Sequence, residues 1–198
     1  MRIKTDYFLL IISPLFFTVV TLLLTFSVDS TVIIALVSSV LHECGHLIML
    51  LHFGCEVKSV TLSFYGMKIL RKNEMQLRFS REIAVCLAGV TVNFAVCLLC
   101  LLLHLFISGE LLLKISAVNL ILGLFNILPV YSLDGSRAME CILKSRLEFS
   151  KSEKIMKTVC AFTLVPVFLF SIFLIQKNGN FTLFLCAIYL LITAIINE

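Results

Sequence analysis

An all-α membrane protein is the fold class that the sequence predicts: a bundle of about six transmembrane helices with a short β-hairpin or re-entrant loop after the second. Three observations predict it. The composition is too apolar for a soluble domain, six apolar stretches run along the chain, and the basic residues are distributed very unevenly. Of the 198 residues, 60% are hydrophobic and 14% are charged, with a mean hydropathy of +1.09. Soluble domains are roughly half apolar. No hydrophilic region is long enough for a second domain, so residues 1–198 are expected to form a single polytopic membrane domain.

The stretches lie near Phe8–Val28, Val32–Phe53, Ile83–Ser108, Leu111–Leu147, Met156–Ile175 and Phe181–Ile196. About 20 apolar residues cross the hydrocarbon core. Arg2 and Lys4 ahead of the first stretch resemble the start of a signal peptide. That run is longer than an ordinary signal core, and no small-residue cleavage site follows at Phe26–Ser30, so a retained span is expected. Pro14 and Pro166 are expected to kink spans one and five.

Charge sets the expected topology. Of sixteen Lys and Arg, Arg2 and Lys4 precede span one. Lys58, Lys68, Arg71, Lys72, Arg78 and Arg81 lie between spans two and three. Arg137, Lys144, Arg146, Lys151, Lys154 and Lys157 lie between the fourth crossing and the fifth. Lys114 and Lys177 fall on the other side. Basic loops stay in the cytoplasm, so both termini are expected there. The net charge of +4 is then a topology and lipid-headgroup signal. Nucleic acid is excluded as a partner, because no folded soluble domain presents a basic face.

Eight cysteines raise the question of disulfides or a metal. Cys97 and Cys100 have C-x-x-C spacing, but they lie in an apolar helix with no second pair. Small thiols packed between helices are the expected role.

Span two contains His42-Glu43-Cys44-Gly45-His46, an H-E-x-x-H motif. On a helix, residues i and i+4 share a face. Both imidazoles can therefore reach one zinc ion while Glu43 holds the attacking water. A carboxylate at the centre of a spanning helix costs about 2.5–3.5 kcal/mol on insertion scales. Two histidines and a glutamate in one apolar turn need a compensating partner, and a metal supplies one. A cluster of helix-packing hydrogen bonds is the plainer alternative.

A catalytic zinc site has a third protein ligand and an open position. Apart from Glu43, the clear intramembrane acid is Asp134, within Asn126-Ile127-Leu128-Pro129-Val130-Tyr131-Ser132-Leu133-Asp134-Gly135. Pro129 removes a backbone donor and Gly135 allows a positive φ, so the helix is expected to open between them. Irregular backbone at membrane depth is tolerated where it lines an enclosed or wet cavity. The alternative is an ordinary helix end in the headgroup region, with Asp134 capping the following helix. Depth favours a ligand. If helix continues after Gly135, Asp134 lies about 15 Å from the level of Lys144 at 1.5 Å per residue. The path from His46 to Lys58 reaches a similar depth.

H-E-x-x-H in one span and N-x-x-P-x-x-x-x-D-G in a later one resemble the site-2 protease family of intramembrane zinc metalloproteases, peptidase family M50. Ala88-Gly89-Val90-Thr91-Val92-Asn93 resembles the family's A-G-P-x-x-N stretch, with Val90 in place of Pro. The resemblance covers about Ser38 to Arg146. It implies a catalytic core over about residues 32–147, one zinc per chain held by His42, His46 and Asp134, and Glu43 as general base. Asn93 and Asn126 are candidates for contacts to the substrate backbone or the developing oxyanion. Helix-to-helix hydrogen bonding explains them equally well. The six-span layout without an inserted domain is similar to the sporulation-type branch, which implies a bacterial cell membrane. That branch commonly carries a C-terminal CBS domain. Here the chain ends at Glu198, and neither a CBS nor a PDZ domain is expected.

Val57–Phe64 partly alternates polar and apolar residues, and Tyr65-Gly66 marks a turn. A hairpin at the cytoplasmic rim is expected, whose strand edge could take an extended substrate by strand addition. His52 and His104 lie away from the ligand face. The expected activity is hydrolysis of a peptide bond in or next to a transmembrane segment, near the cytoplasmic face, as in regulated intramembrane proteolysis. Expected partners are a membrane-inserted or membrane-associated protein substrate, the lipid bilayer and a regulatory membrane protein. A catalytically silent scaffold that binds a partner helix is the alternative, but a scaffold needs none of Glu43, the two histidines or Asp134. A metal transporter would need ligands along a path across the membrane. Spans one, five and six offer no His, Asp or Glu in their interiors.

Overall fold

The computed structural model describes residues 2–4, 9–12, 30–63, 66–71, 77–178 and 181–196. In chain order the elements are β1 (Arg2–Lys4), β2 (Leu9–Ile12), α1 (Thr31–His52), β3 (Val57–Ser63), β4 (Gly66–Arg71), α2 (Phe79–His104), α3 (Glu110–Asn126), α4 (Asp134–Arg146), α5 (Phe149–Asn178) and α6 (Thr182–Ile196). They divide into two compact units. One comprises Met1–Leu77 and Ala88–Gly123, the other Arg78–Leu87 and Leu124–Glu198.

The helical membrane fold expected from composition is present. Three helices, Thr31–His52, Phe79–His104 and Phe149–Lys177, are long and apolar enough to cross a membrane, and Leu183–Ile195 is a shorter apolar helix. Their outer faces are apolar. Ile33, Val37 and Ile48 of α1 and Phe162, Leu169 and Phe173 of α5 are all exposed. Water would penalise such surfaces, whereas lipid accepts them. On α1 the pattern of a soluble helix is inverted. Its buried positions are Ser38, His42, Gly45, His46 and Leu50, a mostly polar stripe at helical spacing.

The first unit holds a four-stranded sheet in the order β1-β2-β3-β4. β1 and β2 are antiparallel, with Arg2 opposite Ile11. β2 runs parallel to β3, with Leu9 opposite Ser59 and Ile12 opposite Leu62. β3 and β4 form the expected antiparallel hairpin, with a bulge between Val57 and Ser59.

Two expectations are corrected here. The first apolar stretch begins as strand β2, because four apolar residues fit a buried strand as well as a helix and periodicity cannot separate them. The rest of that stretch, including Pro14, and the Phe64–Tyr65 part of the turn lie outside the described residues. Strand β3 is also not an edge. It is paired on both sides, by β2 and β4, so no substrate strand can be added to it. Among the described residues, β1 and β4 are the outer strands.

In the second unit, the expected interruption of the fourth apolar stretch is present. Helix α3 ends at Asn126, residues 127–133 are non-helical, and α4 starts at Asp134. The broken segment satisfies much of its backbone locally. Val130 N–H donates to Leu128 O at 2.9 Å and Leu133 N–H to Val130 O at 3.1 Å. Pro129 has no N–H to satisfy. Val130 and Leu133 pack into a buried cluster with Cys160 and Leu164 of α5 and Leu190 of α6. Lipid tails are as apolar as these side chains, so the cluster holds through close packing rather than through escape from water. Pro166 lies inside α5, and the helix continues past it.

Candidate metal centre

His42 and His46 lie one turn apart on α1, and both are buried, at 6% and 8% exposure. Their Nε2 atoms are 3.2 Å apart, with the rings edge to face. Two ligands about 2.05 Å from a tetrahedral zinc would be about 3.3 Å apart. The imidazole pair thus already has the separation that such an ion requires. Glu43, between them in sequence, is half-buried on the same helix.

Two residues of α2 shape the space around the pair. A Cβ built on Gly89 would lie 2.5 Å from His46 Nε2 and 2.6 Å from His42 Nε2. Only a glycine lets the α2 backbone come this close to both converging nitrogens. One turn on, Asn93 is completely buried, and its amide Nδ2 is 3.1 Å from His42 Nδ1. Nδ1 and Nε2 are on different sides of the ring, so Asn93 stands behind His42 as seen from His46. That position favours a role toward the imidazole over contact with an oxyanion. The glycine of the motif has its own packing role. A Cβ on Gly45 would meet Val92 Cγ2 at 2.8 Å and the Ala88 carbonyl oxygen at 3.0 Å. One turn before His42, Ser38 accepts a hydrogen bond from Asn119 Nδ2 of α3 at 2.9 Å, and Cys97 Sγ lies 3.3 Å from Ser116 Oγ. Polar contacts of this kind tie spanning helices together where the hydrophobic effect cannot.

In the other unit, Asp134 is the first residue of α4, and its exposure is 9%. A carboxylate in the first helical turn is favoured by the unpaired N–H groups there. The turn is stiffened by Ser136, whose Oγ donates to Leu133 O at 2.7 Å. The expected positive φ falls on Ser132, at 80°, and not on Gly135. Gly135 is helical, and it is required for space: a Cβ there would run into the carbonyl of Ile127. Asn126 is the last residue of α3 and half-buried.

The remaining candidates have other surroundings. None of the eight cysteines forms a disulfide, in keeping with a packing role. His104 accepts from Gly109 N–H at 3.3 Å through Nδ1, closing the end of α2, and the ring of His52 lies against Phe53. Gly89 is the residue that reading the sequence for chemistry passed over as a functional position. Its signal was available: it sits four residues before Asn93 on one face of a spanning helix.

Residues 109–170 match the model of Peptidase family M50. A zinc metalloprotease of Methanocaldococcus jannaschii is 32% identical over 129 residues, which is 62% of this chain and 37% of that protein. A Synechocystis relative is 30% identical over 118 residues, 57% of this chain and 31% of its own length. The chain thus spans about a third of the curated relatives it matches. The solved structure of a site-2 protease from Methanocaldococcus jannaschii superposes with a TM-score of 0.68 at 24% identity, covering 98% of this chain and 93% of that one. The chain is thus similar to zinc metalloproteases over about 60% of its length, carries a Peptidase family M50 match over residues 109–170, and shares the fold of a site-2 protease.

Proposed function

We propose that the protein is an intramembrane zinc metalloprotease. It hydrolyses a peptide bond in or next to a transmembrane segment of a membrane-associated protein, near the cytoplasmic face. One zinc ion is held by His42 and His46 through Nε2 and by a carboxylate oxygen of Asp134. The observation that carries this reading is the imidazole pair: His42 and His46 are buried one turn apart with their Nε2 atoms 3.2 Å apart, close to the separation that two ligands of one zinc ion need. Two imidazoles and a carboxylate suit zinc, and three protein ligands leave a position for water, as catalytic sites require.

When bound, zinc supplies a Lewis acid for the scissile carbonyl and brings the pKa of a water to about 7. Glu43 takes a proton from the attacking water and delivers it to the departing amine nitrogen, so one carboxylate serves as base and then as acid. The substrate must enter extended, because a regular helix shields its own peptide bonds. Since β3 is paired on both sides, the outer strands among the described residues that an extended segment could join are β1 and β4. The positive-inside pattern supports cytoplasmic termini and a cut near that face.

The test is co-expression with candidate single-span substrates, comparing the parent with Glu43→Gln. Cleavage should disappear while zinc content is retained, because Glu43 moves a proton and holds no metal. Normal cleavage by the Gln variant would remove the proposed mechanism.

A further inference from the structure

We propose that Asn93 is a positioning residue for His42: its side-chain amide holds the ring by Nδ1 and can accept the Nδ1 proton when Nε2 is free for a metal. The inference rests on the reading of His42 as a ligand.

A neutral imidazole carries one proton, on one of its two nitrogens. When Nε2 gives its lone pair to a metal, the proton is on Nδ1, and Nδ1 must donate. The group facing Nδ1 is the amide of Asn93, at 3.1 Å. Through its Oδ1 that amide would accept the proton's hydrogen bond. With no metal between the rings, a proton on His42 Nε2 can be shared with His46 Nε2 at 3.2 Å. Nδ1 then accepts from Nδ2 of Asn93, and Oδ1 of Asn93 has no hydrogen-bond partner among the described residues. An amide serves both states by turning over, because its two ends differ little in shape but are opposite in hydrogen bonding. A carboxylate would serve only the metal-bound state, and a hydrocarbon neither.

The setting makes Asn93 suitable for this work. It is fully buried, so water does not compete for Nδ1. It also lies one helical turn from Gly89, whose missing side chain leaves room for the two Nε2 atoms. One face of α2 therefore provides both the space for the imidazoles and the support behind one of them. Partners that hold a ligating histidine by its second nitrogen typically contribute 10- to 100-fold in metal affinity.

The experiment compares the parent protein with Asn93→Leu, Asn93→Ala and Asn93→Asp, purified in detergent. Zinc affinity is measured by competition with a chromophoric chelator, and the visible absorption of the cobalt-substituted protein reports ligand geometry. Thermal unfolding with and without zinc separates positioning from packing. The Leu and Ala variants should lose about 10- to 100-fold in zinc affinity, with a changed cobalt spectrum and a smaller zinc-dependent rise in melting temperature. The Asp variant should recover affinity and spectrum, since it keeps an acceptor for Nδ1–H. Equal zinc affinity in all four proteins would overturn the inference while leaving His42 as a ligand. So would a lower melting temperature in Leu and Ala with an unchanged zinc-dependent rise. A parent protein that binds no zinc would overturn the metal reading and this inference with it. Should Leu and Ala fail to fold, affinity in Asp more than about tenfold below the parent's would also overturn it.

Discussion

Gly89→Ala separates metal binding from folding. The added methyl would lie 2.5 Å and 2.6 Å from the Nε2 atoms of His46 and His42. Ordinary contact between such atoms is about 3.5 Å, so the nitrogens of His46 and His42 must retreat by about 1.0 Å and 0.9 Å. The clashing atoms are the far ends of side chains, which can rotate, and the α2 backbone need not move. Alanine also favours a helix interior over glycine by about 0.5–1 kcal/mol. The variant should therefore fold at least as well as the parent. A metal site tolerates about 0.2 Å in its ligand distances. Displacing both imidazoles several times that far should lower zinc affinity by at least about 100-fold, or about 2.8 kcal/mol. Chelator competition measures the affinity, and thermal unfolding of the metal-free protein measures the fold. Parental zinc affinity in a folded Gly89→Ala protein would refute the close approach of α2 to the imidazoles. Loss of fold together with loss of zinc would refute the claim that the side chains can yield.

Asp134→Ala should reduce zinc affinity by about 100-fold or more by removing one of three protein ligands; unchanged metal content and activity would mean a different third ligand. Gly135→Ala should destabilise the protein by at least about 1–3 kcal/mol, because its methyl meets the backbone carbonyl of Ile127 and not a movable side chain; thermal unfolding checks this, and an unchanged melting temperature would contradict the packing described. Reporter fusions at Gly109 and Gly179 should read as external, as the distribution of basic residues requires; a cytoplasmic signal at either would reverse the topology. Replacing Gly, Pro, Asn or Ser near the cut of a verified substrate with Leu should slow its cleavage at equal insertion. Unwinding in lipid exposes backbone groups at several kcal/mol each, and an unchanged rate would shift selectivity to side-chain pockets.

The sequence by itself determined what is local or set by lipid. His42, Glu43 and His46 share a turn because helix geometry puts i and i+4 together, whatever surrounds them. The interruption after Asn126 follows from Pro129, since the missing N–H and the ring clash act within one turn. The apolar content and the placement of Lys and Arg determined a membrane fold, because lipid penalises charge wherever the chain folds. Tertiary structure decided the rest. Leu9–Ile12 became a strand because Ser59–Leu62, some fifty residues away, offered an unpaired edge; no short apolar run discloses a partner that distant. That pairing also closed β3, whose own alternation had suggested an open edge. At Asp134, composition pointed to Gly135 as the left-handed residue, but Ser132 has that φ. Gly135 is instead required by a carbonyl eight residues earlier. Asn93 had equal claims to substrate and to helix packing until the fold placed it behind His42. Which neighbour meets a buried polar group is set by packing between helices, and helices in lipid all carry the same apolar code.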